Sequence, residues 1–198
     1  MMQKRDLLDS LLSEHGGILK TSDVFNAGVS KPCFMSYVKK NGLERAAHGL
    51  YMSPDTWVDE LFLLQARFSS TVFSHETALY LLDLAEREPL QFTVTVKTGY
   101  NYTSLSKEGI KVFSIKQELF DTGITTLESP TGRVVKAYNM ERTICDMIRS
   151  RKYVEIQDFQ SAMKAYARRP DKNLPLLLRY AQAFGIEKTL RQYMEVLL

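Results

Sequence analysis

Few side chains in this 198-residue sequence have the types and spacing that catalysis or metal binding requires. The three histidines, His15, His48 and His75, do not form the HxxxH pair of a zinc site. Cys33 and Cys145 do not form a CxxC motif, which argues against a cysteine zinc cluster and is typical of a reducing compartment. Neither a GxxxxGK[ST] nor a GxGxxG phosphate loop occurs. We therefore expect no metal and no cofactor.

Two short segments match catalytic sites by their residue types alone. Ser74-His75-Glu76 contains the three residue types of a hydrolase triad, but adjacent residues cannot face each other as nucleophile and base. Thr95-Val96-Lys97 has the spacing of a metal-dependent nuclease motif, with threonine where a metal-binding carboxylate is required. We therefore predict that the chain is not an enzyme. A nucleic-acid-modifying enzyme remains an alternative.

The charged residues favour a polyanionic partner at the two ends of the chain. Hydrophobic residues make up 44% and charged residues 25%, which is typical of a globular protein, and the formal net charge is +3. Residues 1–54 hold 7 basic and 5 acidic residues, and residues 131–198 hold 13 and 7. Residues 55–130 hold 6 basic and 11 acidic residues. A basic surface that attracts nucleic acid is thus expected near either end.

The predicted elements of residues 1–54 follow the order of a winged helix-turn-helix domain. Apolar spacing predicts a first helix over Gln3–His15 and a short second helix over Val24–Ala27. Ser30 begins a third helix that ends near Asn41, and Leu43–Met52 reads as a β-hairpin. In this arrangement the third helix enters the major groove of DNA and the hairpin contacts the backbone or the minor groove.

The third helix and the hairpin supply the candidate DNA contacts. Phe34 and Val38 lie four residues apart and are expected to face the core, whereas Tyr37 is ambiguous. Lysine binds phosphate well but reads bases less specifically than arginine, which this helix lacks. We therefore expect more than one copy on the DNA. A monomer is expected in solution, because the sequence has neither a heptad seam nor a long exposed apolar helix. The predicted DNA-binding residues are Lys20, Ser30, Lys31, Ser36, Tyr37, Lys39, Lys40, Arg45 and His48.

The sequence after Pro54 predicts a second domain over residues 55–198, so that the fold class is α+β. A helix is expected over Thr56–Phe68, a small sheet within residues 71–138, and helices within residues 139–198. The second domain is therefore a mixed α/β domain with a helical C-terminal part. No apolar run approaches the roughly 18 residues of a membrane span, and the N-terminal region is not a signal peptide, so a cytoplasmic location is expected.

Three segments resemble the AbiE-type abortive-infection antitoxin family (AbiEi-like). Gly17–Val24, with Gly28-Val29-Ser30 and Gly49-Leu50-Tyr51, is similar to the winged-helix domain of that family. Ser74–Leu79 resembles its "S-H-x-T-A-L" segment. Asn139–Asp146 resembles its "x-x-E-R-T-L-x-D" segment, with Ile144 in place of leucine.

The resemblance implies a bacterial antitoxin of type IV. In that family the N-terminal domain represses the promoter of its own operon, and the second domain counteracts a nucleotidyltransferase-like toxin without forming a stable complex. The implied partners are double-stranded DNA, with inverted repeats in the promoter, and functionally the toxin. A module that binds the toxin directly is the other alternative.

The matching segments and the basic run after them supply candidate antitoxicity residues. A structural role is the alternative for several of them, because Asp146 lies four residues after Arg142 on one helix face. The basic run Arg149–Lys152 also follows a predicted helix, where cations complement the helix dipole. The candidate antitoxicity residues are His75, Glu141, Arg142, Thr143, Asp146, Arg149, Arg151 and Lys152.

Overall fold

A computed structural model describes residues 4–197, apart from the side chains of residues 196 and 197. The chain has an α+β fold that divides into two compact units, Met1–Ser69 and Ser70–Leu198. Gln3, with which the first predicted helix begins, lies outside the described residues. Among the described residues, no helix is both long enough and apolar enough to cross a membrane.

Three helices and a small antiparallel sheet form most of the first unit. The sheet has the strand order β1-β3-β2, with β3 in the centre. The helices pack around Leu8, Val24 and Phe34, which are fully buried. The elements are α1 (Lys4–Glu14), β1 (Ile18–Lys20), α2 (Thr21–Asn26), α3 (Lys31–Lys40), β2 (Glu44–Ala47), β3 (Leu50–Met52) and α4 (Glu60–Arg67).

The turn after α1 depends on glycine. Gly16 and Gly17 have φ angles of 56° and 85°, in the region that favours glycine, and they separate α1 from β1. A Cβ on Gly17 would also lie 1.9 Å from Thr56 Oγ1. The two glycines therefore allow α1 to end here, and Gly17 allows the segment that leads to α4 to approach this turn closely.

The first unit extends beyond Pro54, where the sequence places the domain boundary. Phe62, Leu63 and Ala66 of α4 pack against Ile18 and Met52 of the sheet, and this apolar contact joins α4 to the first unit. The helix begins at Glu60 rather than Thr56, because the Asp59 side chain accepts a hydrogen bond from the Phe62 backbone N–H at 2.9 Å.

The second unit contains a five-stranded mixed sheet and a helical part. The strand order is β6-β5-β4-β8-β7, in which β4 pairs with β8 and β5 pairs with β6 in parallel, whereas the other two pairs are antiparallel. The strands are β4 (Val72–Phe73), β5 (Thr93–Lys97), β6 (Lys111–Ile115), β7 (Ile124–Glu128) and β8 (Val134–Tyr138). Strands β7 and β8 form an antiparallel hairpin within the region 71–138, where the sequence predicts a small sheet.

The helices of the second unit pack mainly around α8. Ile144, Met147, Phe159 and Tyr166 are among the buried residues of this core, whereas Ile156 is exposed. The helices are α5 (His75–Leu81), α6 (Thr103–Lys107), α7 (Gln117–Phe120), α8 (Met140–Arg149), α9 (Ile156–Arg168), α10 (Leu174–Ala183) and α11 (Glu187–Leu197). A 3-10 turn, Arg151–Tyr153, joins α8 to α9.

Candidate nucleic-acid interface and a buried polar cluster

The outer face of α3 is basic and accessible. Lys31, Ser36, Lys39 and Lys40 are exposed, while Phe34 and Val38 are buried as the four-residue spacing predicts. Lys39 and Lys40 lie in the last turn of the helix. Together, Lys31, Ser36, Lys39 and Lys40 form a surface that we call the α3 face.

Tyr37 does not belong to the α3 face, in contrast to its place among the predicted DNA contacts. Its side chain is 4% exposed, and its hydroxyl donates a 2.5 Å hydrogen bond to Asp9 Oδ1. Burial, followed by the interaction with Asp9, raises the pKa of the Tyr37 hydroxyl well above its ordinary value. The side chain turns inward because residues 34, 37 and 38 share one side of a helix with 3.6 residues per turn.

Arg45 and His48 lie close together on the β2–β3 hairpin. Arg45 Nη2 lies 3.1 Å from His48 Nδ1, and Arg45 Nε donates to the carbonyl of Ala47 at 3.4 Å. Both side chains are exposed. The register shifts between Arg45 and Ala47, which marks an irregularity in the strand. The hairpin therefore presents an arginine that its own backbone and a neighbouring imidazole hold in place.

The other two predicted DNA contacts of this unit, Lys20 and Ser30, lie outside the α3 face and the hairpin. Lys20 is half-buried, and its Nζ lies 5.3 Å from the centre of the Phe62 ring. Ser30 is exposed at the N-cap position of α3, although its side chain makes no capping hydrogen bond. Sequence reasoning did not single out Phe25 and Met35, two exposed apolar side chains of the first unit.

His75 is buried at the start of α5 and contacts the end of α8. Its ring stacks on Phe113 with the ring centres 3.6 Å apart, and its φ angle is 47°, which is uncommon for a residue other than glycine. Nδ1 lies 3.0 Å from Ser74 Oγ, and Nε2 lies 2.9 Å from Ser150 Oγ. Burial lowers the pKa of His75, and the cations Lys111, Arg142 and Arg149 lower it further.

His75 lies between two hydroxyl groups. The Thr95 hydroxyl donates to Ser74 Oγ at 2.9 Å, and Ser74 Oγ contacts His75 Nδ1. A neutral imidazole donates from one ring nitrogen and accepts at the other, so the ring bridges Ser74 and Ser150 in either tautomer. These contacts hold α5 against the end of α8.

Arg142 is a fully buried cation with several partners. Its Nε donates to Asp146 Oδ2 at 2.9 Å, and its Nη1 donates to the carbonyls of Leu119 and Thr122 at 2.8 and 2.6 Å. Its guanidinium carbon lies 3.9 Å from the ring centre of Tyr138 and 4.5 Å from that of Phe184. Arg142 thereby joins α8 to the segment that follows β6 and to the end of α10.

Asp146 lies between two arginines. Its Oδ1 accepts a hydrogen bond from Arg149 Nη1 at 3.2 Å, and its Oδ2 accepts the bond from Arg142. Burial raises the pKa of the Asp146 carboxyl group, and the two guanidinium groups oppose that shift. Arg142, Asp146 and Arg149 are called the α8 cluster from here on.

Two other residues of the Asn139–Asp146 segment have separate structural contacts. Glu141 Oε1 accepts hydrogen bonds from the backbone N–H of Asn173 at 2.8 Å and from the Tyr166 hydroxyl at 3.4 Å. Thr143 Oγ1 donates to the carbonyl of Tyr138 at 3.4 Å. Glu141 therefore positions the start of α10 against α9, and it lies outside the α8 cluster.

The basic residues after α8 are more accessible. Arg151 is half-buried, donates to the carbonyl of Val154 at 3.4 Å and places its guanidinium carbon 4.6 Å from the Phe159 ring centre. Lys152 is exposed. Sequence reasoning missed the roles of Ser150 and Phe184, since each meets its partner only through the tertiary fold. Among the described residues, no group of three His, Cys, Asp or Glu side chains is placed to hold a metal ion.

The comparisons with known proteins bear on the fold. No family model and no curated protein matches the chain. The crystal structure of the RV2827C protein from Mycobacterium tuberculosis is similar, with a TM-score of 0.58 and 12% sequence identity. The match covers 89% of this chain and 70% of the mycobacterial chain. At this identity the likeness shows a shared fold.

Proposed function

We propose that the protein is an antitoxin of the type IV kind and a DNA-binding repressor of its own operon. The observation that carries the proposal is the α3 face, an exposed basic surface on the last of three helices in a small unit. The first unit acts as the DNA-binding domain and the second unit as the antitoxin domain. The protein works in the cytoplasm, next to a nucleotidyltransferase-like toxin.

The arrangement of the first unit supports a winged helix-turn-helix domain. Helices α1, α2 and α3 precede a hairpin, β2–β3, and β1 completes the sheet. Such a domain inserts its third helix into the major groove of DNA while the hairpin contacts the phosphates or the minor groove. The exposed Arg45 and His48 lie on that hairpin, and the α3 face supplies point charges for phosphate.

The contacts of the second unit divide the candidate antitoxicity residues into two sets. His75, Arg142, Asp146 and the residues Glu141 and Thr143 are buried and engaged within the unit. Arg149 and Lys152 are exposed, and Arg151 is half-buried. Antitoxicity thus depends on the exposed residues directly and on the buried set through the fold.

One observation favours direct toxin binding as a second candidate function. Tyr153 and Ile156 are 72% and 55% exposed and follow Lys152 in the chain. Aromatic residues such as tyrosine are enriched in protein interfaces. Co-purification of the antitoxin with its toxin at high salt, lost in the Tyr153→Ala variant, would favour this function over type IV action without a stable complex.

Fluorescence anisotropy of the full chain on its own upstream DNA and on scrambled DNA tests the repressor function. The Lys31→Ala, Lys39→Ala, Lys40→Ala triple variant should bind the upstream DNA at least about tenfold more weakly, because three phosphate contacts are removed. The matched control carries alanine at three exposed lysines of the second unit, Lys107, Lys116 and Lys164. Equal losses in both triple variants would contradict the proposed role of the α3 face.

A toxin co-expression assay separates the two proposed activities. The α3-face variant should still rescue growth, whereas alanine at Arg149 and Lys152 should impair rescue and leave DNA binding intact. If the α3-face variant lost rescue at an unchanged protein level, the division of labour between the two units would be wrong.

A further inference from the structure

The α8 cluster contains a buried hydrogen-bond donor without a partner. Arg142 Nη2 makes no hydrogen bond, although Nε and Nη1 of the same side chain make three. Arg142 is 0% exposed, so bulk water does not solvate this N–H group as it would solvate a surface arginine. A buried N–H of a charged group that lacks an acceptor is costly and calls for an explanation.

Stacking does not satisfy this donor. The Tyr138 and Phe184 rings lie 3.9 and 4.5 Å from the guanidinium carbon, and a cation–π contact engages the face of the guanidinium. The N–H bonds of arginine lie in the plane of the group. An acceptor for Nη2 must therefore approach in that plane.

The cluster also has an excess of positive charge. Asp146 supplies one negative charge to two guanidinium groups, with one carboxylate oxygen bonded to each. One positive charge remains uncompensated within the cluster. Burial lowers the pKa of the nearby His75, and the cations Lys111, Arg142 and Arg149 lower it further.

The cluster has a side that reaches solvent. The Arg149 side chain is 32% exposed, and its guanidinium carbon lies 5.0 Å from the Phe184 ring centre. Phe184 is half-buried and contacts both guanidinium groups. Arg149 and Phe184 are thus the partly exposed neighbours of the buried Arg142.

We propose that Arg142 and Arg149 bind a small phosphate-class oxyanion at the outer edge of the α8 cluster. The free Nη2 of Arg142 and the exposed donors of Arg149 supply the hydrogen bonds, and the Phe184 ring forms an apolar wall. Arginine suits this ligand because its planar donors match phosphate oxygens. The ligand is either free phosphate or the phosphoryl group of a nucleotide. This site is independent of DNA binding by the first unit.

Thermal denaturation and calorimetric titration of the full chain with inorganic phosphate test the site, against chloride at equal ionic strength. Both measurements use the Lys31→Ala, Lys39→Ala, Lys40→Ala background, so that the α3 face does not contribute. We expect saturable stabilisation by phosphate. Replacing Arg149 by alanine should weaken phosphate binding about tenfold or more, because charge-assisted hydrogen bonds are lost. Arg149→Lys should recover part of it.

The matched control is Arg191→Ala, since Arg191 is exposed on α11 and pairs there with Glu187. It should bind phosphate as the parent does. Titrations with a nucleoside monophosphate and a nucleoside triphosphate identify the natural ligand. If a nucleotide binds more tightly than phosphate, the ligand is a nucleotide. If both bind equally, the ligand is free phosphate. The proposal is overturned if phosphate stabilises no more than chloride, or if Arg149→Ala and Arg191→Ala titrate alike. Neither result bears on DNA binding by the first unit, so the failure of this site is distinguishable from the failure of the repressor function.

Discussion

The α3 face and the α8 cluster are both rich in basic residues, but these residues lie in opposite environments. On α3, three lysines are exposed and lie on the outside of a short helix. On α8, Arg142 and Asp146 are buried and bonded to each other and to neighbouring segments. The α3 lysines are therefore accessible to a partner, whereas most donors of Arg142 are engaged within the fold.

The energetic consequences of the two environments differ in the same way. An exposed lysine adds little to stability, and screening by salt further weakens its interactions. A buried charge that loses its partner is left without solvation, which is strongly destabilising. Substitutions on the α3 face should therefore change binding at constant stability, and substitutions in the α8 cluster should change stability first.

The largest effect is expected when Asp146 is replaced by alanine. The change leaves the buried Arg142 without its carboxylate and should lower the free energy of unfolding by about 3–5 kcal/mol. Urea denaturation measures the loss. The control is Glu187→Ala, which breaks the exposed pair with Arg191 and should cost about 0–1 kcal/mol. Equal costs for the two variants would remove the distinction between buried and exposed charges.

A pair of glycine substitutions measures how tightly Arg142 is enclosed. Gly123 and Gly132 both have φ of 78°, but a Cβ on Gly123 would lie 2.7 Å from Arg142 Cβ, whereas a Cβ on Gly132 would meet nothing within 4 Å. Both alanine variants therefore carry the same backbone strain. Gly123→Ala should be less stable than Gly132→Ala by about 1–3 kcal/mol in urea denaturation, because the added methyl overpacks the site. Equal stability of the two variants would show that Arg142 shifts to accommodate the added methyl group and is not tightly enclosed.

Replacing Tyr37 by phenylalanine tests the one predicted DNA contact that lies in the core. The variant loses the hydrogen bond to Asp9, and its free energy of unfolding should fall by about 1–2 kcal/mol. Its affinity for the upstream DNA should not change, in contrast to that of Lys39→Ala. A loss of DNA affinity without a loss of stability would return Tyr37 to the DNA-binding surface.

The smallest effect concerns the pH dependence of stability. The folded state lowers the pKa of His75 below 6.5, so below that pH the unfolded chain binds a proton that the folded chain does not. Stability is complete above about pH 6.5 and falls as the pH decreases, by at most about 1.4 kcal/mol per pH unit. Urea denaturation at pH 7.5 and 5.5 should show this slope, His75→Gln should reduce it, and His48→Ala should preserve it. A slope that persists in His75→Gln would assign it to other groups.

The sequence predicted the elements that have a long or regular pattern. The apolar spacing of Leu8 and its neighbours predicted α1, and the spacing of Phe34 and Val38 predicted the buried side of α3. Helices α6 and α7 were missed, because segments of four or five residues are too short to show a 3.6-residue period. The boundary after Pro54 came too early because the packing of α4 on the sheet is a tertiary contact.

The candidate sites were predictable only where the partners are close in sequence. The four-residue spacing predicted the Arg142–Asp146 pair, which is present at 2.9 Å. The carbonyls of Leu119 and Thr122 that accept from Arg142 could not be predicted, since every residue has a carbonyl and only the fold selects two of them. The pairing of His75 with Ser150 spans 75 residues and likewise depends on the packing of α5 against α8.

The salt dependence of binding to the upstream DNA tests the central claim most directly, namely that the α3 face is a free phosphate-binding surface. Anisotropy titrations across a salt series give the slope of log affinity against log salt concentration for the wild-type chain, for the α3-face triple variant and for the triple lysine variant of the second unit. Each phosphate contact contributes about 0.9 to the slope, so loss of three contacts should reduce its magnitude by about 3. The second-unit variant should keep the wild-type slope. An unchanged slope in the α3-face variant would contradict the account.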